Sequence, residues 1–287
     1  MNNKLTLEGL KLSALSFGCS SYWCRPYFQE QKALRLLSIA YENKINYFHT
    51  APHYFLGEQR LGKFIKDYKP KDLIISTAIG PYLDNRNRHA TNFDPKAVEE
   101  GIETSLKNLN IDSIDIAFLY PDSLDTLANE KLIERLIEIK KKGKVKYLGI
   151  FGMSQDIIEV LMPKSLEFKI FDVYFLRHTL VNNNQATIDI LTNYKKLIIN
   201  FSVISSVKNY FKINNMQSFW YFLRQLKRSI YSYDERLILL NDFSRKNKLE
   251  NSIKEGLKFS LQNEKIHSTM INTCDENHLM ENLQLLR

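Results

Sequence analysis

Asn46-Tyr-Phe-His-Thr-Ala-Pro-His-Tyr-Phe-Leu-Gly-Glu-Gln-Arg-Leu-Gly62 contains one complete unit of the fold. From Ile45 to Phe48 the chain is a short apolar run, with the length and aromatic content of a buried strand. Pro52 cannot donate to a ladder, so the strand ends around His49-Thr-Ala. From Glu58 the apolar spacing becomes helical, with Leu61, Phe64 and Ile65 on one face. A strand, a polar loop and an amphipathic helix make one βα unit. In parallel α/β architectures, ligands and chemistry sit in the loop at the strand's C-terminal end.

Working outward, the same alternation repeats. Strands are expected at Ala14 to Cys19, Asp72 to Ile79, Ile114 to Tyr120, Val145 to Phe151, Phe171 to Phe175, Leu197 to Val203 and Ser268 to Ile271. Helical spacing covers Gln31 to Tyr41, and Asp94-Pro95 reads as a cap and first-turn proline for a helix reaching about Leu109. Further helices fall near 129–142, after Ser154 and before Pro163, near 185–194, after Asp234, and over about 250–263. A polar loop is expected from Ile79 to Asn92. Lys4 to Ser13 alternates about Glu8-Gly9 as a small hairpin. Eight strands alternating with helices, and no linker rich in Pro, Gly or Ser, predict a single α/β domain over 1–287: a (β/α)8 TIM barrel with an N-terminal β-hairpin. An insertion at about 207–232 contains Phe219-Trp-Tyr-Phe222, expected to be a packed helix face, a lid over the barrel or a dimer contact.

Composition narrows the function classes. The 287 residues are 44% hydrophobic, enough for a large core. No apolar run approaches the roughly 18 residues of a membrane span, and no signal peptide is visible, so a cytoplasmic, non-membrane protein is expected. Three cysteines at unrelated spacings form neither a disulfide framework nor a zinc pattern. Cys19 and Cys24 flank the first βα loop, as inert buried thiols or as a nucleophile. Forty Lys and Arg against 32 Asp and Glu is a basic balance. The lysines are scattered as on a solvated surface, and no nucleic-acid motif accompanies them. His49 and His53 are four apart across a proline loop rather than along a helix, so no metal site is expected.

The central stretch also resembles a family. Its His-Thr-Ala-Pro-His-Tyr-x-x-Gly-Glu-x-x-Leu-Gly is similar to the Asp-Thr-Ala-x-x-Tyr-Gly-x-x-Glu-x-x-Leu-Gly signature of aldo-keto reductases. Asp94-Pro95 to Asn110, Ile114-Asp-Ile116, Lys142 to Ile150 and Glu281-Asn-Leu283 resemble further family segments in the same order. The resemblance implies a barrel plugged at its bottom by the hairpin. It also implies chemistry in which a tyrosine protonates a carbonyl oxygen while NAD(P)H delivers a hydride. In the family an aspartate-held lysine lowers the tyrosine's pKa, and a histidine orients the substrate. By this matching the tyrosine is Tyr54, the aspartate position is His49, the lysine position Ala78 and the histidine position Tyr120. The Ser-Asn pair that grips the nicotinamide amide falls on Phe151-Gly152, its glutamine on Phe175 and a stacking aromatic on about His178. The 2′-phosphate residues fall on Asn272, Thr273 and His278.

A phenol without a cationic neighbour titrates near 10, and loss of tuned general acid catalysis costs roughly 10²–10⁴-fold. The expectation is therefore a barrel that is not a conventional NADPH reductase and needs no cofactor. His49, Tyr54 and Tyr120 would be its catalytic groups, with His49 titrating near neutrality. The chemistry expected is of epimerase, lyase or dehydratase type on a small sugar-like or anionic molecule, or the chain is a non-catalytic relative. Arg177, His178, Arg86 and Arg88, with His89, are expected to give the mouth a positive field that binds this ligand. His53 and Asp122 lie in adjacent loops. The alternative is an NAD(P)H-dependent carbonyl reductase with an atypical active site, in which Tyr54 or His49 donates the proton.

Overall fold

In a computed structural model the described residues are 7, 10–151, 169–180, 183–201, 216, 219, 220, 223 and 249–286. The strands are β1 (Leu15–Gly18), β2 (Tyr47–His49), β3 (Ile74–Ile79), β4 (Pro81–Leu83), β5 (His89–Thr91), β6 (Ile114–Leu119), β7 (Val145–Phe151), β8 (Phe171–Leu176), β9 (Leu197–Asn200) and β10 (Ser268–Ile271). Among the described residues eight of these close a barrel in the order β1-β10-β9-β8-β7-β6-β3-β2, every neighbouring pair parallel. This is the (β/α)8 architecture the alternation predicts.

Period two along each strand sorts the core into an interior and an outer layer. Tyr47, Ile74, Ile116, Phe118, Val173, Phe175, Leu197, Ile199 and Met270 fill the interior, so the barrel is a packed core rather than a pore. The alternate residues, such as Ile79, Ala117, Leu119, Tyr174 and Ile198, pack against the helices. At the N-terminus Leu7 and Leu10 form an antiparallel bridge, and buried Leu10 joins the interior cluster. The turn expected at Glu8-Gly9 lies outside the described residues, as do the helix expected from Ser154, the helix after Asp234 and most of the insertion.

The helices that frame the site are α1 (Glu30–Glu42), α2 (Gly57–Tyr68) and α3 (Pro95–Leu109). Asp94 caps α3 by accepting from Lys96 N and Ala97 N, with Pro95 in the first turn where no amide partner is needed. The Gly-Glu-x-x-Leu-Gly part of the central stretch proves to be packing chemistry. Buried Glu58 accepts from Thr77 Oγ1 at 2.7 Å and Asn108 Nδ2 at 3.0 Å, tying α2 to β3 and α3. A Cβ on Gly62 would lie 2.0 Å from the Asn108 carbonyl oxygen, so only glycine lets α2 and α3 approach this closely.

One local departure lies after β3. The segment expected to be a polar loop forms a small antiparallel hairpin, β4 with β5. Asp84 Oδ1 accepts from the backbone amides of Arg86 (2.9 Å) and Arg88 (2.8 Å), and Asn87 adopts a left-handed φ of 56°, which closes the turn. No helix among the described residues is long and apolar enough to cross a membrane.

Candidate active site

β2 ends at His49, which sits opposite Ser76 of β3 in the parallel register. Tyr47 shares the inward face of β2 with His49, as Ser76 shares that of β3 with Ile74. This register brings four side chains into one hydrogen-bonded chain. Tyr47 Oη lies 2.8 Å from Ser76 Oγ, Ser76 Oγ 2.8 Å from His49 Nδ1, and His49 Nε2 3.0 Å from Tyr120 Oη. Tyr120 is hydrogen-bonded in turn to Tyr54. The chain runs from the fully buried Tyr47 and Ser76, through buried His49, to the half-buried Tyr120 and Tyr54 at the mouth. It therefore reaches solvent at one end.

Aromatic rings fix His49 from the sides. Phe175 meets it edge-on with ring centroids 4.9 Å apart, and Phe118 does so at 5.7 Å. Phe118 has room because position 149 is glycine: a Cβ there would lie 2.4 Å from the Phe118 ring. Burial, with a smaller contribution from His53, lowers the His49 pKa to about 3. The expectation that His49 titrates near neutrality therefore fails. At physiological pH its imidazole is neutral and can pass or accept a hydrogen bond but carries no charge. Burial, followed by the neighbouring phenol of Tyr54, raises the Tyr120 pKa well above the ordinary tyrosine value. His53 is lowered to about 4 by burial and by His89, whose ring centroid is 5.2 Å away.

Around this chain the mouth is aromatic. Phe151 stacks on Tyr120 at 3.8 Å and lies 4.6 Å from Phe201, while Phe175 stands edge-on to both at 5.2 Å. Phe151 and Phe201 are half-buried, so part of each ring faces out of the interior. The Arg177 guanidinium carbon is 5.5 Å from the centroid of Phe201. Ala78, one inward step above Ser76, is 4% exposed and adds no polar group. This floor is chemically suited to a planar aromatic ring held by stacking.

The structure brings His49, Tyr54, Tyr120 and Arg177 to one mouth, while the other expected cations have different surroundings. Arg86 and Arg88 are exposed at the turn of the β4–β5 hairpin, and both nitrogens that Arg88 presents to Asp84 Oδ2 lie at 2.8 Å. His178 faces the opposite way from Arg177, outside the barrel. It is buried, stacked on Phe259 at 4.8 Å, and its Nδ1 accepts from Asn184 N at 3.2 Å. Of the expected cations the structure thus turns His178 away from Arg177 and pairs Arg88 with Asp84. Asp122 accepts from Thr126 Oγ1 at 2.5 Å within its own loop. Burial pushes the Cys19 and Cys24 thiols up, and Cys24 Sγ donates to the Cys19 carbonyl at 3.2 Å, which disfavours the thiolate that a nucleophile needs. After β10, Asn272 Nδ2 donates to Ser20 Oγ, and Asp275 caps the last helix through His278 N. Gly152 lies outside the described residues. Of the aromatic insertion, Trp220 packs on Tyr22 at 5.6 Å and sits beside the Arg25 guanidinium at 5.3 Å.

Several residues in the site went unread in the sequence. Ser76 and Tyr47 complete the buried chain, and Gly149 makes room for Phe118. Buried Arg60 donates to the carbonyls of Trp23, Arg25 and Phe28, holding the first βα loop. Among the described residues no group of three or more His, Cys, Asp or Glu could hold a metal.

A closed parallel barrel with hydrogen-bonded His49 and Tyr120 at the C-terminal ends of β2 and β6 defines the class: a (β/α)8 barrel, the fold in which function sits at that face. The aldo/keto reductase family model matches residues 14–287, and the chain belongs to that family. L-galactose dehydrogenase from Arabidopsis thaliana is 32% identical over 165 residues, covering 54% of this chain and 50% of that protein. D-threo-aldose 1-dehydrogenase from a Pseudomonas species is 30% identical over 175 residues, 52% of this chain and 53% of that one. The chain thus spans about half the length of the curated relatives it matches. The aldo-keto reductase AKR11C1 from Bacillus halodurans, in its holo form, superposes with a TM-score of 0.70 at 19% identity over 96% of this chain and 87% of that one. That likeness shows the fold. Family membership overturns the expectation that no cofactor is needed: aldo-keto reductases use NAD(P)H, and these two relatives are named as dehydrogenases. It also favours the oxidoreductase alternative over epimerase, lyase or dehydratase chemistry.

Proposed function

We propose that this protein is an NAD(P)-dependent oxidoreductase that interconverts a carbonyl and an alcohol on a small sugar-like molecule. In this reading the Tyr54–Tyr120–His49 group handles the proton. The carrying observation is that chain of hydroxyls and imidazole at the mouth of a family barrel, with His49 Nε2 3.0 Å from Tyr120 Oη. The names of the two sugar dehydrogenases supply the substrate class.

When NAD(P)(H) is bound, hydride transfer is the chemistry it supplies. Phe151, at the position of one of the family's nicotinamide contacts, and its neighbour Phe201 would line the place of the nicotinamide with apolar rings instead of hydrogen-bonding groups. Tyr54 and Tyr120 would donate hydrogen bonds to the substrate oxygen. In the reducing direction, one of these phenols gives its proton to the oxygen as negative charge develops there. An alkoxide is far more basic than any phenolate, so the transfer is downhill even from a phenol raised above its usual pKa. Water at the mouth then reprotonates the phenolate, since both tyrosines are half-buried. Oxidation runs the same steps backwards.

With Ala78 at the position of the family's lysine, no cation lowers the phenol's pKa from that side. The reading therefore implies a slower enzyme, or one favouring alkaline conditions for alcohol oxidation. Its test is a calorimetric titration with NADPH and NADH, followed by turnover assays against aldoses and their alcohols. Saturable binding with sugar-dependent oxidation or reduction supports it. No binding of either nucleotide contradicts it.

A further inference from the structure

The buried end of the hydrogen-bonded chain sets the direction in which its protons point. Four groups lie in series: Tyr47 Oη, Ser76 Oγ, the two nitrogens of His49 and Tyr120 Oη, at successive separations of 2.8, 2.8 and 3.0 Å. Tyr47 and Ser76 are fully buried, and His49 is 2% exposed. A chain of single-proton donors can run in only two continuous directions. If Tyr120 donates inward to Nε2, then Nδ1–H donates to Ser76 and Ser76 donates to Tyr47. The Tyr47 proton is then left inside the barrel with no acceptor among the described residues. If instead Tyr47 donates to Ser76, Ser76 donates to Nδ1 and Nε2–H donates to Tyr120, every buried proton is used. The Tyr120 proton then points to Tyr54 and the mouth. A buried donor left unmade is the costlier arrangement, so the outward direction prevails.

We infer that Ser76 and Tyr47 are positioning residues: their hydroxyls hold His49 as the Nε2-protonated tautomer and so leave the Tyr120 proton pointing outward, to Tyr54 and the mouth. Neither touches the substrate, and both act through His49. The inference rests on the proposed oxidoreductase reading for its consequence, but the proton direction is a property of the resting protein. In catalysis the same direction gives a second benefit. Once Tyr120 has donated, the Nε2–H of His49 already points at its oxygen and stabilises the phenolate. The neutral imidazole needed for this is secured by burial.

The test uses the full chain labelled with nitrogen-15 histidine. At neutral pH a long-range proton–nitrogen spectrum distinguishes a protonated ring nitrogen from a bare one. The His49 signals are assigned through their contacts with the rings of Phe118 and Phe175. The expected result is a protonated Nε2 and a bare, hydrogen-bonded Nδ1. A protonated Nδ1 in the wild-type protein overturns the inference, whether or not the enzyme turns over any sugar. Kinetics supplies the second readout. Ser76→Ala should lower kcat roughly tenfold with KM unchanged, and Ser76→Thr, which keeps the hydroxyl, should restore it. Equal losses in both variants would mean that Ser76 serves packing alone. Absence of turnover in the wild type would sink the oxidoreductase reading while leaving the tautomer result standing.

Discussion

His49 Nε2 lies 3.0 Å from the hydroxyl of Tyr120, joining the end of β2 to the end of β6 across the barrel mouth. Burial keeps the imidazole neutral, so this contact is a hydrogen bond without an ion pair. It is a different device from a charged lysine beside a tyrosine. It orients a phenol and steadies its anion through one neutral hydrogen bond, a weaker effect than that of an adjacent cation.

Removing the Tyr120 hydroxyl should therefore hit the chemical step. Tyr120→Phe keeps the ring that stacks on Phe151 at 3.8 Å and so keeps the fold. Steady-state kinetics should show kcat lower by roughly 10²–10⁴-fold with a smaller change in KM. A loss of less than threefold (about 0.65 kcal/mol) would move the proton donor elsewhere, with Tyr54 the next candidate.

Stability should decline in acid earlier than carboxylates alone would cause. The folded-state pKa of His49 is lowered to about 3 and that of His53 to about 4, against 6.5 for the free side chain. Below about pH 6.5 the unfolded chain binds protons that the folded chain refuses, so unfolding becomes more favourable as pH falls. The stabilisation is complete above that pH and is lost progressively towards pH 3, by at most about 1.4 kcal/mol per pH unit for each histidine. Urea midpoints measured from about pH 7.5 down to about pH 5 should fall for the wild type and fall less steeply for His49→Gln. Parallel slopes would contradict the neutral, buried imidazole.

The aromatic floor makes its own prediction. Phe201→Leu keeps apolar volume but removes the flat ring beneath Arg177. It should weaken nicotinamide binding by roughly two- to twelve-fold, the worth of one aromatic stacking contact. Arg88→Ala, at the exposed hairpin turn and paired with Asp84, should leave that affinity unchanged in the same titration. Equal affinities in the wild type and Phe201→Leu would remove the ring from the binding surface.

Packing of the central stretch can be tested without any ligand. Gly62→Ala places a carbon 2.0 Å from the Asn108 carbonyl oxygen, where backbone must move. A cost of roughly 1–3 kcal/mol follows, and the melting temperature should drop by several degrees. An unchanged melting temperature would mean that α2 and α3 can separate freely.

Much of the barrel was legible because period-two runs and helix caps are local signals. Asp94-Pro95 announced α3, and the run from Val145 to Phe151 coincided with β7. The β4–β5 hairpin was missed because each strand has three residues, too few for alternation to show, and its turn depends on the Asp84 side chain. In the site, His49 and Tyr120 were findable as polar residues at strand ends, and Tyr54 by its place in the family signature. Ser76 and Tyr47 were not, since their meeting depends on the register that sets His49 opposite Ser76. The cations were misjudged for a reason the sequence did not contain. Arg177 and His178 follow the end of β8 at Leu176, where strand alternation no longer applies, and their different surroundings, Phe201 for one and Phe259 for the other, come from tertiary packing.

The oxidoreductase reading is tested most directly by following the hydride itself. The protein would be incubated with NADPH or NADH deuterated at the transferring position together with an aldose or keto-sugar panel, and the products weighed by mass spectrometry. The account predicts an alcohol product carrying one deuterium, formed by the wild type and strongly reduced in Tyr120→Phe. Product that forms without deuterium, or no product from any member of the panel with either nucleotide, would contradict it.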